Sequence, residues 1–295
     1  MTSVNNKLSV LTLNVRGINN KLKRRNIFQC LKKHKADIAC LQETYLTEKE
    51  IDDVRKEWPG NVFYRAGTHR SNGLLILLSK QLIKTETKIT VDTDRILALQ
   101  ITTNSTTHTI VNCYAPNAST EKIRFLSQLQ QMISEVDTDA LWVTGDFNLA
   151  LEDNDIVSGK PHSEREITAF KETLAALDLH DIWRIQHTDI KDYTWSRPTP
   201  FTARRLDYIF CDSNTLARVT DSRIETCSHS DHKIVHATLK TDNFKRGPGY
   251  WKFNNSLLQD PDFVTKADDF IKQHFTDNAN ERPTMTWELF KVKFK

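Results

Sequence analysis

Short acidic and polar motifs recur through the first 232 residues of the chain. In order they are TLNV (12–15), QET (42–44), NCYAP (112–116), GDFN (145–148), RLDY (205–208) and SDH (230–232). Most of them follow a short apolar run, so they are expected where buried strands end, and strand ends hold functional side chains rigidly. These carboxylates, amides, tyrosine and histidine, brought together in one cleft, would be the groups of a metal-assisted phosphodiester hydrolase.

Glu43 follows the apolar run of residues 38–42, at the end of a predicted strand. A carboxylate in that place is a suitable hard-oxygen ligand for Mg²⁺, which takes one or two protein carboxylates together with water and phosphate. The alternative interpretation is an ordinary surface glutamate.

The GDFN motif is a sharper signal. Gly145 permits a close approach of the backbone, and the two-residue period of a strand would point Asp146 and Asn148 the same way. Asp146 can then take a proton from water, while Asn148 orients that water or the phosphate.

The SDH motif puts an acid beside an imidazole. A histidine with a pKa near neutrality can stabilise charge on a phosphate oxygen or exchange protons, and Asp207 can hold the His232 imidazole in one tautomer. The alternative is a structural histidine ahead of an apolar run. Asn14 and Tyr114 are neutral donors suited to phosphate oxygens.

The elements that must position these groups are short strands and amphipathic helices. Strands are predicted over residues 8–15, 37–42, 74–79, 96–102, 107–114, 140–145, 206–211, 223–227 and 235–240. Helical spacing of apolar residues is found within 27–34, 51–58, 123–133 and 167–177, and Ser163 with Glu166 supplies a capping box for the last. This mixture predicts an α/β layered sandwich, and the chain has no glycine-rich nucleotide-binding motif.

Composition narrows the class of protein. A chain of 295 residues with 38% apolar and 27% charged residues is typical of a soluble globular protein, and no apolar run approaches the roughly 20 residues of a membrane helix. From the polar residues at the start of the sequence we expect no secretory signal. Five cysteines without C-x-x-C spacing give neither a disulfide framework nor a zinc site, which favours reduced thiols in the cytosol or nucleus.

In order and spacing, the motifs resemble the endonuclease/exonuclease/phosphatase superfamily over residues 8–240. The resemblance implies an α/β fold of the DNase I type, a four-layered sandwich of two packed mixed β-sheets flanked by helices. It implies that Asn14 and Glu43 lie at a metal ion, with Asp231 assisting. The implied ion is Mg²⁺, with Mn²⁺ as a substitute.

The same resemblance gives roles to the other motif residues. It implies Tyr114 near the scissile phosphate, Asp146 and Asn148 at the attacking water, and Asp207 paired with His232.

Within that superfamily the chain resembles the endonuclease of a LINE-type (non-LTR) retrotransposon's second open reading frame. The motifs that carry this are LTLNVRG (11–17), YTWS (193–196) and YWKFNNSLL (250–258). The last resembles the linker that leads into reverse transcriptase. We therefore expect an endonuclease domain over residues 1–240, and over 241–295 a linker and the truncated start of the region before a reverse transcriptase.

Two segments are candidates for binding DNA. Residues 16–35 contain eight Lys or Arg and no acidic residue, a composition that suits the binding of phosphates. The alternative is a solvated helix face. Residues 194–205 also lack acids and resemble a hairpin that reads the minor groove; the alternative is an ordinary loop. The predicted DNA contacts are Arg16, Thr194, Trp195, Arg197, Arg204, Arg205 and Ser230.

The sequence thus predicts a Mg²⁺-dependent endonuclease that nicks one strand of double-stranded DNA. The resemblance implies that the 3′-hydroxyl primes reverse transcription, that the protein is made in the cytoplasm and acts in the nucleus, and that the full-length protein adds a reverse transcriptase domain and element RNA. The alternatives are a phosphodiesterase of the same fold acting on abasic DNA, RNA or phospholipid, and a catalytically dead nucleic-acid-binding module.

Overall fold

The computed structural model describes residues 7–82, 85–103, 106–159, 161–241 and 255–279, together with Thr286 and Phe290. The chain divides into two compact units, Met1–Gly247 and Pro248–Lys295. The predicted boundary after residue 240 lies shortly before this division, and the GPG motif at 247–249 lies outside the described residues. All six motifs belong to the first unit.

Within the described residues, the first unit forms two six-stranded sheets. In spatial order the first sheet contains β13 (Val219–Glu225), β14 (Ile234–Lys240), β1 (Lys7–Asn14), β2 (Ile38–Gln42), β4 (Leu74–Leu78) and β3 (Val62–Arg65). Strands β1 and β2 are parallel, and the other neighbours are antiparallel. The sheet is therefore mixed.

The second sheet repeats this arrangement. In spatial order it contains β5 (Glu86–Asp92), β6 (Ile96–Thr103), β7 (Thr106–Tyr114), β8 (Ala140–Asp146), β12 (Asp207–Cys211) and β9 (His180–Asp181). Strands β7 and β8 are parallel, and the other neighbours are antiparallel.

Helices cover the outer faces of the sheets. On the first sheet they are α1 (Lys21–Lys33) and α2 (Glu48–Glu57), and on the second α3 (Ser119–Ser134) and α4 (Glu164–Ala176). The short helices α5 (Ile182–Gln186) and α6 (Ser213–Leu216) instead contribute Ile182 and Leu216 to the core between the sheets, and 3₁₀ helices lie at Lys80–Leu82 and Asp153–Asp155. The predicted capping box is present, since Ser163 Oγ accepts from the Glu166 N–H and the Glu166 carboxylate accepts from the Ser163 N–H. In the described residues no helix has the length and apolar character to cross a membrane.

Successive side chains of each strand point to opposite faces of its sheet, so the apolar residues pack into three separate cores. Val10 and Cys40 of the first sheet meet Leu99 and Trp142 of the second in the core between the sheets. The other face of the first sheet packs on α1 and α2, and that of the second on α3 and α4. Each large apolar side chain buried this way stabilises the fold by roughly 1.5–3 kcal/mol. The layers are helices, sheet, sheet and helices, so the predicted DNase I-like sandwich is confirmed.

A separate two-stranded hairpin joins β10 (Trp195–Pro198) to β11 (Phe201–Arg204), as the resemblance implied. The chain after β8 supports it: the Val157 N–H donates to the Ala203 carbonyl at 3.0 Å, and Ser158 Oγ donates to the Phe201 carbonyl at 2.5 Å. The Phe201 side chain near the tip is 59% exposed.

Three strands were not predicted. Strand β3 is half-buried along its whole length, and β5 is mostly polar with a register shift between Ile89 and Val91. Both lie at sheet edges, where the apolar alternation is weak. Strand β9 has only two residues, too few for any periodicity.

In the second unit, a 3₁₀ helix (Asn255–Gln259) precedes α7 (Pro261–Asp277). The spacing of Phe263, Ala267 and Phe270 in the sequence predicts a short helix here, and α7 confirms it over a longer range. The sequence also predicts an amphipathic segment from the spacing of Trp287, Phe290 and Phe294. Trp287, Phe294 and residues 250–254 of the YWKFNNSLL motif lie outside the described residues.

Candidate active site

The ends of five strands meet at one edge of the sandwich. The parallel strands β1 and β2 end there at Asn14 and Gln42, and the parallel strands β7 and β8 end there at Tyr114 and Asp146. Strand β12 runs antiparallel to β8, so it begins at the same edge, with Asp207 paired to Asp146. Five of the six motifs therefore meet at this edge. The sixth, SDH, reaches it through His232, which contacts Asp207.

Asn14 connects the two sheets at this edge. Its Nδ2 donates to Glu43 Oε1 and to Asp146 Oδ2, both at 2.9 Å, and its Oδ1 accepts from the Arg16 N–H at 3.0 Å. Ionised carboxylates only accept, so the amide must present its NH₂ group to them. Asn14 therefore holds the two carboxylates in place, and its predicted role at the metal stays a prediction.

The predicted contact between Asp207 and His232 is present, with Nδ1 2.8 Å from Asp207 Oδ2. Both residues are buried. Burial lowers the pKa of His232, but the charges of Asp207, Asp146 and Asp231 outweigh it and raise the pKa to about 9. The imidazole is therefore protonated at neutral pH. Its catalytic role stays a prediction.

Asp146 lies beside this pair, and ligand atoms of Asp146, Asp207 and His232 lie within 4.8 Å of one another. Burial, with the nearby charge of Asp207, raises the pKa of Asp146 to about 7, against the opposing effects of His232 and Asn14. A carboxyl group with this pKa suits a general base at neutral pH.

The turn after β8 carries Asn148 and differs from the prediction. Strand β8 ends at Asp146, and Asn148 has a left-handed backbone with φ 49°, so the two-residue strand period does not extend to it. The Asn148 N–H donates to Asp146 Oδ1 at 2.9 Å, and its Nδ2 donates to the Ala115 carbonyl at 2.8 Å. Gly145 is required as predicted, because a Cβ there would lie 2.0 Å from the Cys113 carbonyl oxygen.

Glu43 is half-buried and lies next to two tyrosine side chains. The Tyr45 hydroxyl donates to Glu43 Oε2, and Tyr114 also interacts with this carboxylate. Burial and the Glu43 charge raise the pKa of the Tyr114 hydroxyl, which therefore stays protonated and can donate a hydrogen bond. Tyr45 was not predicted, although it lies two residues after Glu43.

Two places offer carboxylate oxygen to a divalent cation. In the buried acidic cluster, Asp207 Oδ1 has no hydrogen-bond partner among the described residues, but the protonated His232 already supplies a positive charge there. Glu43 is more open, and Mg²⁺ prefers carboxylate oxygen while keeping several waters. Glu43 therefore fits Mg²⁺ better than the cluster does.

Asp231 forms an ion pair next to this site. Its Oδ2 accepts from Arg16 Nη1 at 2.6 Å, while its Oδ1 has no hydrogen-bond partner among the described residues, so its assistance at the metal stays a prediction. Ser230 Oγ donates to the Asn14 carbonyl at 2.6 Å and holds the SDH segment against the end of β1. Arg16 itself is exposed, as a DNA contact would require.

A buried polar layer lies beneath the site. Gln42 Nε2 donates to Asn112 Oδ1 at 2.7 Å and to Thr12 Oγ1 at 2.9 Å, and Asn112 Nδ2 donates to the Leu41 and Leu75 carbonyls. Sequence reasoning missed this layer. Its signal was available, since Thr12 and Asn112 stand two residues before Asn14 and Tyr114 and must share their strand faces.

Two of the predicted DNA contacts are wrong. Arg205 is buried, with Nε and Nη2 on Asp155 and Nη1 on Asp181. Thr194 is also buried, and its Oγ1 accepts from the N–H groups of Leu206 and Asp207. Both residues fix the start of β12 and are out of reach of DNA.

The other hairpin residues remain candidates. Arg197 is exposed, and Trp195 is half-buried and pairs through its backbone with His232. Arg204 is half-buried, and its Nη1 lies 3.0 Å from His162 Nε2. The hairpin is therefore attached directly to the segment that carries His232.

The chain has relatives among mobile elements. It is 30% identical over 296 residues to the Transposon TX1 uncharacterized 149 kDa protein of Xenopus laevis, an alignment that covers 98% of this chain and 22% of that protein. The chain therefore spans about a fifth of the length of this relative.

Solved nuclease structures share the fold. AP endonuclease LMAP from Leishmania major superposes with a TM-score of 0.70 at 18% identity, covering 80% of this chain and 88% of that one. The endonuclease domain of TRAS1, a telomere-specific non-LTR retrotransposon, superposes with a TM-score of 0.62 at 19% identity, covering 80% and 100%. With the transposon relative, this confirms the resemblance to LINE-type endonucleases.

A family model also matches most of the chain. Residues 11–232, which include all of the motif residues at the shared edge, match the model of the Endonuclease/Exonuclease/phosphatase family, and the chain belongs to that family.

Proposed function

We propose that the protein is a Mg²⁺-dependent DNA endonuclease that nicks one strand of a duplex and leaves a 3′-hydroxyl to prime reverse transcription in retrotransposition. The buried group of Asp146, Asp207 and His232 at the shared strand edge carries the proposal, because it combines a base and an acid beside Glu43. The similarity to a transposon protein over 98% of the chain supports the biological setting.

In this proposal Asp146 takes the proton of the attacking water. A pKa of about 7 makes it half-deprotonated at neutral pH, and Asn14 orients its carboxylate. The Asn148 amide, whose Nδ2 is held by the Ala115 carbonyl, orients the water through its oxygen. Water attacks phosphorus in line and the P–O3′ bond breaks. The leaving O3′ takes a proton from solvent water, so the products are a 5′-phosphate and a 3′-hydroxyl.

His232 stabilises the charge that accumulates on the phosphate. Because Nδ1 is bonded to Asp207, the protonated ring presents Nε2–H to a phosphate oxygen. The Tyr114 hydroxyl is a second donor. Glu43 would hold Mg²⁺, and the bound ion would supply further positive charge against the phosphate.

The proposed substrate is chromosomal double-stranded DNA, so the proposed place of action is the nucleus. In the longer protein, a reverse transcriptase domain and element RNA would use the nick. The much greater length of the Xenopus transposon relative supports this arrangement.

Nicking of supercoiled plasmid tests the proposal, with the nicked product then offered to a DNA polymerase. We expect Mg²⁺-dependent nicks that the polymerase extends without prior end repair. The variant Glu43→Ala should keep the fold yet lose nicking, and EDTA should do the same to the parent. Undiminished nicking in EDTA, non-extendable ends, or cleavage confined to abasic sites would contradict the proposal.

A further inference from the structure

Lys122 on α3 is an unusual residue for its surroundings. Only 2% of its surface is exposed, and lysine is almost never buried this far unless it is paired. Its Nζ donates to the Asn148 carbonyl at 2.7 Å and to Glu166 Oε1 at 3.1 Å. The buried ammonium therefore joins the turn after β8 to the first turn of α4.

Glu166 is itself anchored. Its Oε2 accepts from the Ser163 N–H at 3.1 Å and from Ser163 Oγ at 2.8 Å, which are bonds of the capping box. Burial alone would raise the pKa of Glu166, but Ser163 and Lys122 outweigh it and lower the pKa, so the carboxylate stays charged. The ammonium thus has a fixed counter-ion on α4.

The other hydrogen bond of Lys122 goes to the turn after β8, where Asn148 has a left-handed backbone. Asn148 adopts φ 49°, a region that non-glycine residues seldom occupy without support. Its N–H is bonded to Asp146 and its Nδ2 to Ala115, so its carbonyl is the group that Lys122 secures. All three bonds fix the same residue relative to Asp146.

We propose that Lys122 is a positioning residue for phosphodiester hydrolysis: its ammonium, held by Glu166, fixes the left-handed turn that sets Asn148 against Asp146. This rests on the proposed nuclease function. Lys122 is too buried to touch DNA, so it acts only through Asn148. It should therefore affect the chemical step and leave DNA affinity unchanged.

The test compares Lys122→Met with Ile133→Ala. Ile133 is buried on the same helix and packs in the core between α3 and the second sheet, but lies three turns of the helix away from Lys122. At a temperature where all proteins are folded, we expect Lys122→Met to lower the single-turnover nicking rate about 10–100-fold with unchanged affinity, and Ile133→Ala to leave the rate within about twofold. Equal rate losses in both would overturn the proposal.

A mutant cycle shows whether Lys122 acts through Asn148. If it does, adding Lys122→Met to Asn148→Ala should slow nicking little further, since groups acting as a unit are non-additive. Multiplicative losses would contradict the positioning role. Should Lys122→Met fail to fold, Glu166→Gln keeps the shape and removes the counter-ion, and should show a smaller loss in the same direction.

Hydrogen exchange separates this inference from the proposed function. Lys122→Met should increase amide exchange in residues 145–150 relative to the parent, and Ile133→Ala should not. If the parent does not nick DNA but exchange rises locally, the proposed function fails and the positioning contact stands. Unchanged exchange in the turn would overturn the contact even in an active enzyme.

Discussion

Two buried carboxylates next to one another are unfavourable unless a positive charge offsets them. Asp146 and Asp207 are both buried, and the protonated His232 supplies that charge. Burial and the charge of Asp207 raise the pKa of Asp146 to about 7, and the charges of Asp207, Asp146 and Asp231 raise the pKa of His232 to about 9. A base and an acid can then coexist between these values.

The first prediction at the residue scale is a bell-shaped pH dependence of kcat/KM. Asp146 must lose its proton to act as a base, so activity should fall as pH drops through about 7. His232 must keep its proton, so activity should also fall as pH rises through about 9. Nicking measured from pH 6 to 10 checks both arms. His232→Ala should lack the upper arm, and a parent rate that still climbs above pH 9.5 would contradict the proposed stabilisation of phosphate charge by protonated His232.

The second residue-scale prediction concerns the Asp207–His232 hydrogen bond. His232→Ala should slow single-turnover nicking by roughly 10²–10⁴-fold with little loss of affinity. Asp207→Asn should also slow it, and the double mutant should be little worse than the poorer single mutant. Rates for all four proteins decide the matter, because fully multiplicative losses would mean that the residues act independently.

At the scale of elements, the hairpin of β10 and β11 combines an exposed tip with a fixed base. The tip presents Phe201 and Arg197 to solvent. At the base, Thr194 Oγ1 holds the start of β12, and the Thr194 carbonyl accepts from the Lys233 N–H at 2.6 Å. Exposed aromatic residues on such hairpins suit contacts in a deformable minor groove. The base, in contrast, belongs to the catalytic scaffold.

We therefore expect the tip to govern the choice of DNA sequence. Replacing residues 197–201 with a Gly-Ser turn of the same length should flatten the preference among nick sites and retain the cleavage rate within about tenfold. Sequencing nicks made in a random plasmid library measures this. An unchanged site preference would exclude the hairpin as the reader and would favour the basic segment 16–35.

Strands and helices with regular spacing of apolar residues could be predicted from the sequence. The edge of the sandwich at which the strands bring their motifs together could be predicted as well. Strand β8 and helix α4 follow clear apolar patterns, and the motif order placed Asp146, Asp207 and His232 together. Arg205 shows the limit. Its partners Asp155 and Asp181 are distant in sequence, so nothing local distinguishes a buried arginine from one that binds phosphate.

At the scale of the whole molecule, the three cores and the complete set of site residues lie within Met1–Gly247. We expect a chain ending at Gly247 to unfold cooperatively and to nick plasmid at the parent rate, because this unit contains all three cores and the described residues of the site. Thermal unfolding and a nicking assay check this. A truncated protein that is folded yet inactive would show that the second unit contributes to cleavage.

The proposed mechanism requires that Asp146 at the shared strand edge activates water for the cleavage of DNA. Single-turnover nicking of supercoiled plasmid by the parent and by Asp146→Asn, at saturating protein and Mg²⁺, measures it directly. Asparagine keeps the shape but removes the base, so we predict a loss of roughly 10²–10⁴-fold with unchanged DNA affinity. Nicking by Asp146→Asn at close to the parent rate would contradict the account.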